Sequence, residues 1–283
     1  MMKNILIPTD FSDNAWNAIF CALKLYWNME CTFHILHVYE VSASQIKGAR
    51  DSQKAGKLYK TLAGESEKGL SAILEYLDVN HANPNHVFTT LSKSDHLVGA
   101  IKELLFEKPI QMIVMGTKGA TGATEVFMGS NTVNVIKAIR NCSILAVPEE
   151  FNFQKLDQVV FPSDYKRFYY RFELLPLEEL GIEWSTTIHV LHIAQEVELT
   201  KEQKSNQNIL KERLKGLNVI FSEANIGDTI AESIIEFSLE LKADMIVLIH
   251  YQHTFFEKLA QEPVVKKVGF HTKVPLLVLP ELS

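Results

Sequence analysis

The sequence predicts an α/β protein made of two tandem domains, each with a mostly parallel five-stranded sheet between helices. Three observations favour this fold class. Short apolar runs alternate with stretches of helical spacing along the chain. The runs are apolar on consecutive positions, as in MIVM (residues 112–115), which is typical of parallel strands buried on both faces. The series of runs also occurs twice in the same order.

The repeat consists of four pairs of similar runs. They are NILIPTDFS (4–12) with QVVFPSDYK (158–166), TFHILHVYE (32–40) with TIHVLHIAQ (187–195), QMIVMG (111–116) with DMIVLI (244–249), and CSILAVPEE (142–150) with VPLLVLPEL (274–282). Asp10 and Asp164 are 154 residues apart, but Gly116 and Ile249 are only 133 apart. The second copy has therefore lost residues from a connecting segment, the counterpart of 43–70. We place the boundary near 151–156, which gives domains 1–150 and 151–283.

Each element follows from its local pattern, in which apolar runs predict strands and a spacing of three to four residues predicts helices. In the first copy the elements are strand 4–12, helix 13–28, strand 32–40, a polar segment 41–70 that leads into a helix, strand 111–115, helix 131–141 and strand 142–148. Ser12 or Asp13 offers the N-cap of the first helix, and Asp228 offers that of a helix in the second copy. The polar segment is open to two interpretations, a lid or a protein contact.

Composition predicts a soluble globular protein of the cytoplasm. The chain of 283 residues is 47% hydrophobic and 22% charged, enough to bury one large core or two smaller ones. A formal net charge of -6 gives no general attraction to nucleic acid or anionic membranes. Cys21, Cys31 and Cys142 are widely spaced, so neither a disulfide framework nor a structural zinc site is indicated. We find no signal peptide and no apolar run long enough to span a membrane.

A glycine-rich loop, residues 116–130, separates a predicted strand from a predicted helix. In open parallel sheets, ligands bind beyond the carboxyl ends of the strands, where such loops lie. Glycine lets the backbone approach a bulky anion, and a helix N-terminus offers unpaired N–H groups. The loop therefore predicts a phosphate site. It is neither a Walker A motif nor a GxGxxG fingerprint, and a purely structural turn is the alternative.

The spacing of the loop is more specific than its glycine content. The loop has two residues between Gly116 and Gly119, nine residues between Gly119 and Gly129, and then Ser130. This spacing resembles the nucleotide-binding signature of the universal stress protein family. The strands ILIPTDFS, FHILHVYE and CSILAVP resemble those of the family as well. The resemblance covers essentially the whole chain as two copies and is strongest over residues 3–148. It implies two Rossmann-like domains of the adenine nucleotide alpha hydrolase-like type.

The resemblance also implies roles for particular residues. Asp10, beside Pro8 and Thr9, would hydrogen-bond the adenosine portion of an adenine nucleotide, and Val38 would offer its backbone to the adenine. The remaining positions of the implied phosphate end are Met115, Gly116, Gly119, Gly129, Ser130 and Asn131. Asp10 could instead only cap the first helix. Lys118 could add a phosphate contact or be a solvated loop residue.

Three function classes remain open at this point. The family resemblance implies a stress-response regulator that binds ATP or another adenine nucleotide, with or without Mg²⁺, and contacts a protein partner. A slow ATP hydrolase is the second class, because Thr9, Asp10 and Ser130 are the only obvious candidates to hold a metal or orient water. A scaffold that does not use nucleotide is the third. We identify no catalytic motif and assign no catalytic residue.

Two other groups of residues were weighed as sites. His34 and His37 are three apart on a strand, so they point to opposite faces and cannot chelate one metal together; we expect no metal site. The segment YKRFYYRFELL (165–175) sets aromatic beside basic residues, as nucleic-acid sites do. The helical spacing of Phe168, Phe172 and Leu175 favours packing instead.

The second copy is expected to keep the fold without the site. Ile249 replaces Gly116, and the stretch that follows has no glycine before Gly269, so Cβ atoms would fill the phosphate space. We expect one nucleotide per chain. The two copies are expected to pair edge to edge as an internal pseudo-dimer through ILAVP and LLVLP, because single-domain members of the family dimerise through this strand. A further homodimer stays open.

Overall fold

The computed structural model describes residues 2–40, 52–117, 128–194, 198–225, 227, 229–249 and 274–281. Ten strands and seven helices lie within these residues. The strands are β1 (Lys3–Thr9), β2 (Cys31–Val38), β3 (His86–Lys93), β4 (Met112–Gly116), β5 (Ser143–Val147), β6 (Gln158–Pro162), β7 (Thr187–Ala194), β8 (Asn218–Asn225), β9 (Met245–Ile249) and β10 (Leu276–Leu279). The helices are α1 (Asp13–Leu25), α2 (Ser52–Asn80), α3 (Leu97–Glu107), α4 (Ser130–Ala138), α5 (Arg171–Trp184), α6 (Lys201–Arg213) and α7 (Ile230–Leu241).

All ten strands form one sheet in the order β3-β2-β1-β4-β5-β10-β9-β6-β7-β8. Eight of the neighbouring pairs are parallel. Only β5 and β10 pair antiparallel, with Leu145 opposite Leu277. The α/β class and the mostly parallel sheet are therefore confirmed. The predicted edge-to-edge pairing of ILAVP and LLVLP is confirmed as well, and it joins the two sets of five strands into one continuous sheet.

The core differs between the two faces of the sheet. On one face a single cluster of buried side chains runs from the first five strands into the last five, from Ile5 through Leu145 and Leu277 to Phe161. On the other face the buried side chains form two clusters, one for each set of strands. The helices α1 and α5 pack into the continuous cluster, where Trp184 Nε1 donates to the carbonyl of Leu25 at 3.0 Å.

The connection between β5 and β6 is packed into the core. Phe153 and Leu156 are 2% and 1% exposed, and the Phe153 ring lies 5.2 Å from that of Trp184 in an edge-on contact. The side-chain amide of Asn17 donates to the carbonyls of Pro148 and Phe151 at 2.9 and 2.8 Å. The predicted boundary at 151–156 falls in this connection, and the division into domains 1–150 and 151–283 stays a prediction.

Two local predictions are corrected by the structure. The N-cap of α7 is Thr229, whose hydroxyl accepts from Glu232 N at 3.1 Å, and the predicted cap, Asp228, lies outside the described residues. Phe168, Phe172 and Leu175 were expected to pack within the chain, but they are 41%, 45% and 42% exposed. The core side of α5 is formed by other residues, including Leu174 and Leu177. Phe172 and Leu175 lie on the exposed side of α5, and Phe168 lies before its N-cap, Tyr170.

Among the described residues, no helix combines the length and the hydropathy needed to cross a membrane.

Candidate functional site

A cleft of about 160 Å³ opens at the carboxyl ends of β1, β2 and β4. In the strand order, β1 lies between β2 and β4. The chain continues from β1 to β2 and β3 on one side of β1 and then crosses to β4 on the other side. Ligands bind at such a reversal of strand order in open α/β sheets. The cleft is lined by Pro8, Thr9, Asp10, Ala15, Val38, Leu97, Met115, Gly116, Gly129, Ser130, Asn131 and Thr132. Nine of the ten residues predicted from the sequence are among them. The tenth, Gly119, lies with Lys118 outside the described residues.

Gly116 is required by packing between β4 and α1. A Cβ atom at this position would lie 2.5 Å from Asn14 Oδ1 and 2.9 Å from the Asn14 carbonyl oxygen. Asn14 is only 2% exposed, and its amide donates to the Val147 carbonyl at 3.2 Å. The sequence interpretation linked Gly116 to phosphate alone, whereas the structure gives this glycine a second role, which is to let α1 approach the sheet.

The N-terminus of α4 points its first turn at the cleft. The cap residue Gly129 has no side chain to cap the helix, and the first turn carries no acidic residue. The first helical hydrogen bond runs from Val133 N to Gly129 O at 3.1 Å. The N–H groups of Ser130, Asn131 and Thr132 therefore have no acceptor within the helix. Together with the helix dipole they can receive an anion.

Two hydrogen bonds hold this helix start against the end of β4. The N–H of Gly129 donates to the Thr117 carbonyl at 2.5 Å, so this group is already occupied within the chain. The hydroxyl of Thr132 donates to the Gly116 carbonyl at 2.8 Å. Thr132 was missed by the sequence reasoning, because nothing in a single Thr inside a helical run distinguishes it from a surface residue.

Asp10 orders the turn that leads from β1 into α1. Its Oδ1 accepts from the Ser12 N–H at 3.1 Å and from the Ser12 hydroxyl at 2.5 Å. Ser12 in turn is the N-cap of α1, and its Oγ accepts from Ala15 N at 3.3 Å. The capping alternative for Asp10 thus has direct support. Asp10 is nevertheless exposed at the cleft, so the two roles are compatible.

The second set of strands repeats this turn. Thr9 Oγ1 accepts from Phe11 N at 3.0 Å, and Ser163 Oγ accepts from Tyr165 N at 3.2 Å. Phe11 and Tyr165 both have positive φ, 63° and 54°, a conformation that is uncommon for aromatic residues. Because both copies keep it, this strained turn belongs to the fold rather than to one ligand site.

The cleft contains little charge. Asp10 is the only ionisable side chain among its described lining residues. Among the described residues, the groups that could receive a phosphate are therefore backbone N–H groups at the start of α4, aided by the helix dipole. Among the described residues there is no group of three or more His, Cys, Asp or Glu that could hold a metal ion. His34 bonds to Asn4 and Thr89, whereas His37 bonds to Ser66, so the two rings have different surroundings.

The cysteines are unsuited to nucleophilic chemistry. All three are buried, and burial raises the pKa of each of Cys21, Cys31 and Cys142 to about 12. A thiol with such a pKa carries almost no thiolate near neutral pH.

Ala15 and Leu97 complete the cleft, and the sequence reasoning missed both. Ala15 follows the N-cap of α1, so its proximity to the end of β1 could have been inferred. Leu97 opens α3, which follows β3, and only the strand order brings it to β1 and β4. No local pattern contains that information.

Comparison with solved structures shows the same fold over nearly the whole chain. A universal stress protein from Archaeoglobus fulgidus DSM 4304 has a TM-score of 0.66 at 13% identity, with 98% of this chain and 96% of that chain covered. A putative universal stress protein from Pseudomonas aeruginosa UCBPP-PA14 has a TM-score of 0.56 at 13% identity, covering 98% and 93%. The cytoplasmic domain of a prokaryotic cation chloride cotransporter reaches 0.51 at 13% identity, covering 99% and 96%. At these identities the likeness concerns the fold alone.

Sequence comparison is more specific. No curated protein matches this chain. The model of the universal stress protein family, however, matches residues 1–148, which include β1 to β5 and every described residue that lines the cleft. Because this match covers more than half of the 283 residues, the chain belongs to the universal stress protein family.

Proposed function

We propose that this protein binds ATP or a related adenine nucleotide in the cleft between β1, β4 and α4, and that it acts as a stress-response regulator. In this proposal, occupancy of the cleft changes how the protein meets a protein partner. One observation supports it above all. Residues from β1, β2, β4 and α4, far apart in the chain, line one cleft, and nine of them are positions that the family resemblance implies.

The physical setting suits a nucleotide. The cleft has apolar walls, formed in part by Pro8, Val38 and Met115, and a helix N-terminus at one end. Apolar walls suit the base, and the N–H groups of Ser130 and Asn131 suit a phosphate. Its volume of 160 Å³ is below the 300 Å³ or more that is usual for a whole ligand. The bound nucleotide would therefore extend beyond these walls.

Slow ATP hydrolysis is the second candidate, because Thr9, Asp10 and Ser130 share the cleft. Phosphoryl transfer needs a metal between phosphate oxygens and a group that orients the attacking water. Asp10 and the two hydroxyls could hold Mg²⁺, but the described lining offers no separate base. We therefore expect turnover to be slow. The protein would work in the cytoplasm, as a chain with three free buried cysteines suggests.

Calorimetric titration of the purified protein with ATP, ADP and AMP tests the proposal, after extraction to identify any nucleotide that co-purifies. Gly129→Val should abolish binding, because Cβ branches at the helix start would occupy space that the phosphates need. The backbone of Gly129, with φ −54° and ψ 150°, accepts a valine without strain, so the variant should fold. Gly64→Val, on the exposed side of α2 where no atom lies within 4 Å of an added Cβ, is the matched control.

Each outcome has a distinct meaning. Unchanged ATP affinity in folded Gly129→Val would remove the phosphate assignment at α4. A wild-type protein that binds none of the nucleotides would leave the scaffold as the remaining function. Phosphate release with Mg²⁺, lost together with binding in the variant, would favour the hydrolase.

A further inference from the structure

One side of α5 presents apolar side chains to solvent. Phe172, Leu175 and Ile182 are 45%, 42% and 70% exposed. They are spaced by three and seven residues, so they lie on one face of the helix. The opposite face is packed into the core through residues such as Leu177 and Leu180. The helix is therefore apolar on two sides, and the chain covers only one of them within its described residues.

The turn before α5 enlarges this surface. Phe168 and Tyr170 are 41% and 42% exposed. Their ring centroids are 4.8 Å apart, and Tyr170 stacks on Phe172 at 5.2 Å with an angle of 6° between the planes. We refer to Phe168, Tyr170, Phe172, Leu175 and Ile182 as the α5 patch. Contiguous exposed aromatic and aliphatic side chains mark interaction sites more often than plain surface.

Charged residues flank the patch in a symmetric way. Arg171 is exposed four residues before Leu175. Glu179 lies four residues after it, with 47% of its side chain exposed, and accepts from Lys3 Nζ at 2.6 Å. Residues four apart lie on the same side of a helix. A cation and a carboxylate therefore stand at equal distances on either side of Leu175.

This arrangement is complementary to itself. If two copies of α5 are placed antiparallel with Leu175 at the dyad, Arg171 of each copy faces Glu179 of the other. Ile182 of each copy then lies near the start of the partner's helix and the turn before it, which carries Phe168 and Tyr170. Apolar groups thus meet apolar groups and opposite charges meet, as a two-fold interface requires. We propose that the α5 patch is a homodimer interface in which α5 packs antiparallel against α5 of a second copy.

Two further observations favour a second copy over other partners. The edge of β5 is already paired with β10 inside the chain, so a dimer of this protein needs a different surface from that strand. The surroundings of the patch are also mixed in charge, because Asp164 lies 4.0 Å from Lys166 and Glu179 borders the patch. On a chain of net charge -6 this gives no electrostatic advantage to a nucleic acid.

Sedimentation equilibrium of the full chain over a concentration series tests the proposal. The wild type should show a dimer of the 32.1 kDa chain. Leu175→Glu should raise the dimer dissociation constant at least about 100-fold, since it sets two carboxylates against each other at the dyad. Leu239→Glu, at a 58% exposed position on α7, should leave the dimer unchanged. Circular dichroism melting checks that both variants are folded.

Cross-linking tests the position of the dyad independently. Leu175→Cys should form a disulfide-linked dimer under mild oxidation, whereas Leu239→Cys should not. The native cysteines should not interfere, because they are buried. The proposal is overturned if the wild type is monomeric throughout, if Leu175→Glu associates like the wild type, or if dimers form without a Leu175→Cys cross-link. Binding of a single-stranded oligonucleotide by a monomer, lost in Leu175→Glu, would assign the patch to nucleic acid instead.

Discussion

Gly116 shows how one residue connects the sheet, a helix and the cleft. A methyl group at this position would meet both the side chain and the backbone oxygen of Asn14, and the backbone cannot swing aside. We expect Gly116→Ala to lower the free energy of unfolding by about 1–3 kcal/mol, the usual cost of overpacking. Urea denaturation measures this change.

The matched control is Gly64→Ala in α2, where an added Cβ meets nothing within 4 Å. At an exposed helical position this change should stabilise the protein by about 0.5–1 kcal/mol. If both variants were equally stable, the close approach of α1 to β4 would not be the reason for glycine at residue 116.

Asp10 faces the cleft and also orders the cap of α1. Substitutions of Asp10 and of Ser12 distinguish these two roles. Asp10→Ala should weaken nucleotide binding by about 1–3 kcal/mol, the scale of a hydrogen bond to a charged group. Ser12→Ala removes the hydroxyl that caps Ala15 N, so it should cost about 1 kcal/mol of stability and leave binding nearly intact. Titration and thermal melting of both variants measure these effects. Equal affinity of Asp10→Ala and the wild type, with a lower melting temperature, would leave only the capping role.

The residues of the cleft divide by the kind of information that identifies them. Gly129 and Ser130 belong to a signature of fixed spacing, and Asp10 ends a strand that resembles the first strand of the family, so the sequence sufficed to place them together. Leu97 in the cleft and Asn14, which packs against Gly116, carry no such signal, because their importance arises from contacts between elements that only the folded chain brings together. Individual hydrogen bonds cannot be predicted from the sequence either, and the donation from Gly129 N to Thr117 O is an example.

At the scale of elements, the strands β2, β3 and β7 carry partly buried histidines. Burial lowers the pKa of His34, His37, His86 and His189 below the ordinary value. The unfolded chain therefore binds more protons than the folded one below about pH 6.5. Stability should be fully present above that pH and should fall as the pH drops toward the lowered pKa values.

Urea unfolding at a series of pH values between about 7.5 and 5 measures this loss of stability. This pH range lies above the one in which most carboxylates titrate. His86→Gln should reduce the slope, because His86 is 9% exposed and its Nδ1 has no hydrogen-bond partner among the described residues. A midpoint that is flat, or that rises as the pH falls, would contradict the prediction.

The strands of the repeat were predictable because apolar runs are local signals, whereas β3 and β8, which lack continuous apolar runs, were not placed. The family resemblance also indicated that β5 and β10 would meet, because single-domain members of the family dimerise through this strand. The orientation of α5 was not predictable, since its two faces are both rich in apolar residues, and spacing alone does not say which face meets the sheet. Phe172 and Leu175 were assigned to packing for this reason, and both are exposed.

At the scale of the whole molecule, the continuous core on one face couples the two sets of strands. Phe153 lies in that core between them and is 2% exposed. Phe153→Ala should cost about 3–5 kcal/mol, and it should destabilise β1 to β5 and β6 to β10 together. Hydrogen exchange followed by mass spectrometry in increasing urea reports on peptides from both sets. If only one set lost protection while the other kept that of the wild type, the two would be independent folding units.

The repeat raises the question of whether the second set of strands also binds a nucleotide, and the strand registers favour a single site per chain. Gly116 is paired with Val147 as Ile249 is paired with Leu279, so Ile249 occupies the position of the glycine. Its buried side chain belongs to the continuous core. The counterpart of the helix start at Gly129 lies outside the described residues, but its sequence contains no glycine before Gly269.

We therefore expect calorimetric titration to give a stoichiometry close to one nucleotide per chain. The turn around Asp164 is kept in the second set, where its Oδ1 accepts from Lys166 N at 3.0 Å. The stretch after Ile249 has no glycine before Gly269, so we expect its Cβ atoms to keep phosphates from approaching the backbone there. The same titration of Gly129→Val tests this expectation further. If the first set of strands holds the only site, the variant should lose all nucleotide binding, whereas with two sites it should lose half. A stoichiometry near two in the wild type, or one site remaining in the variant, would show that the second set binds nucleotide through groups other than those of the first.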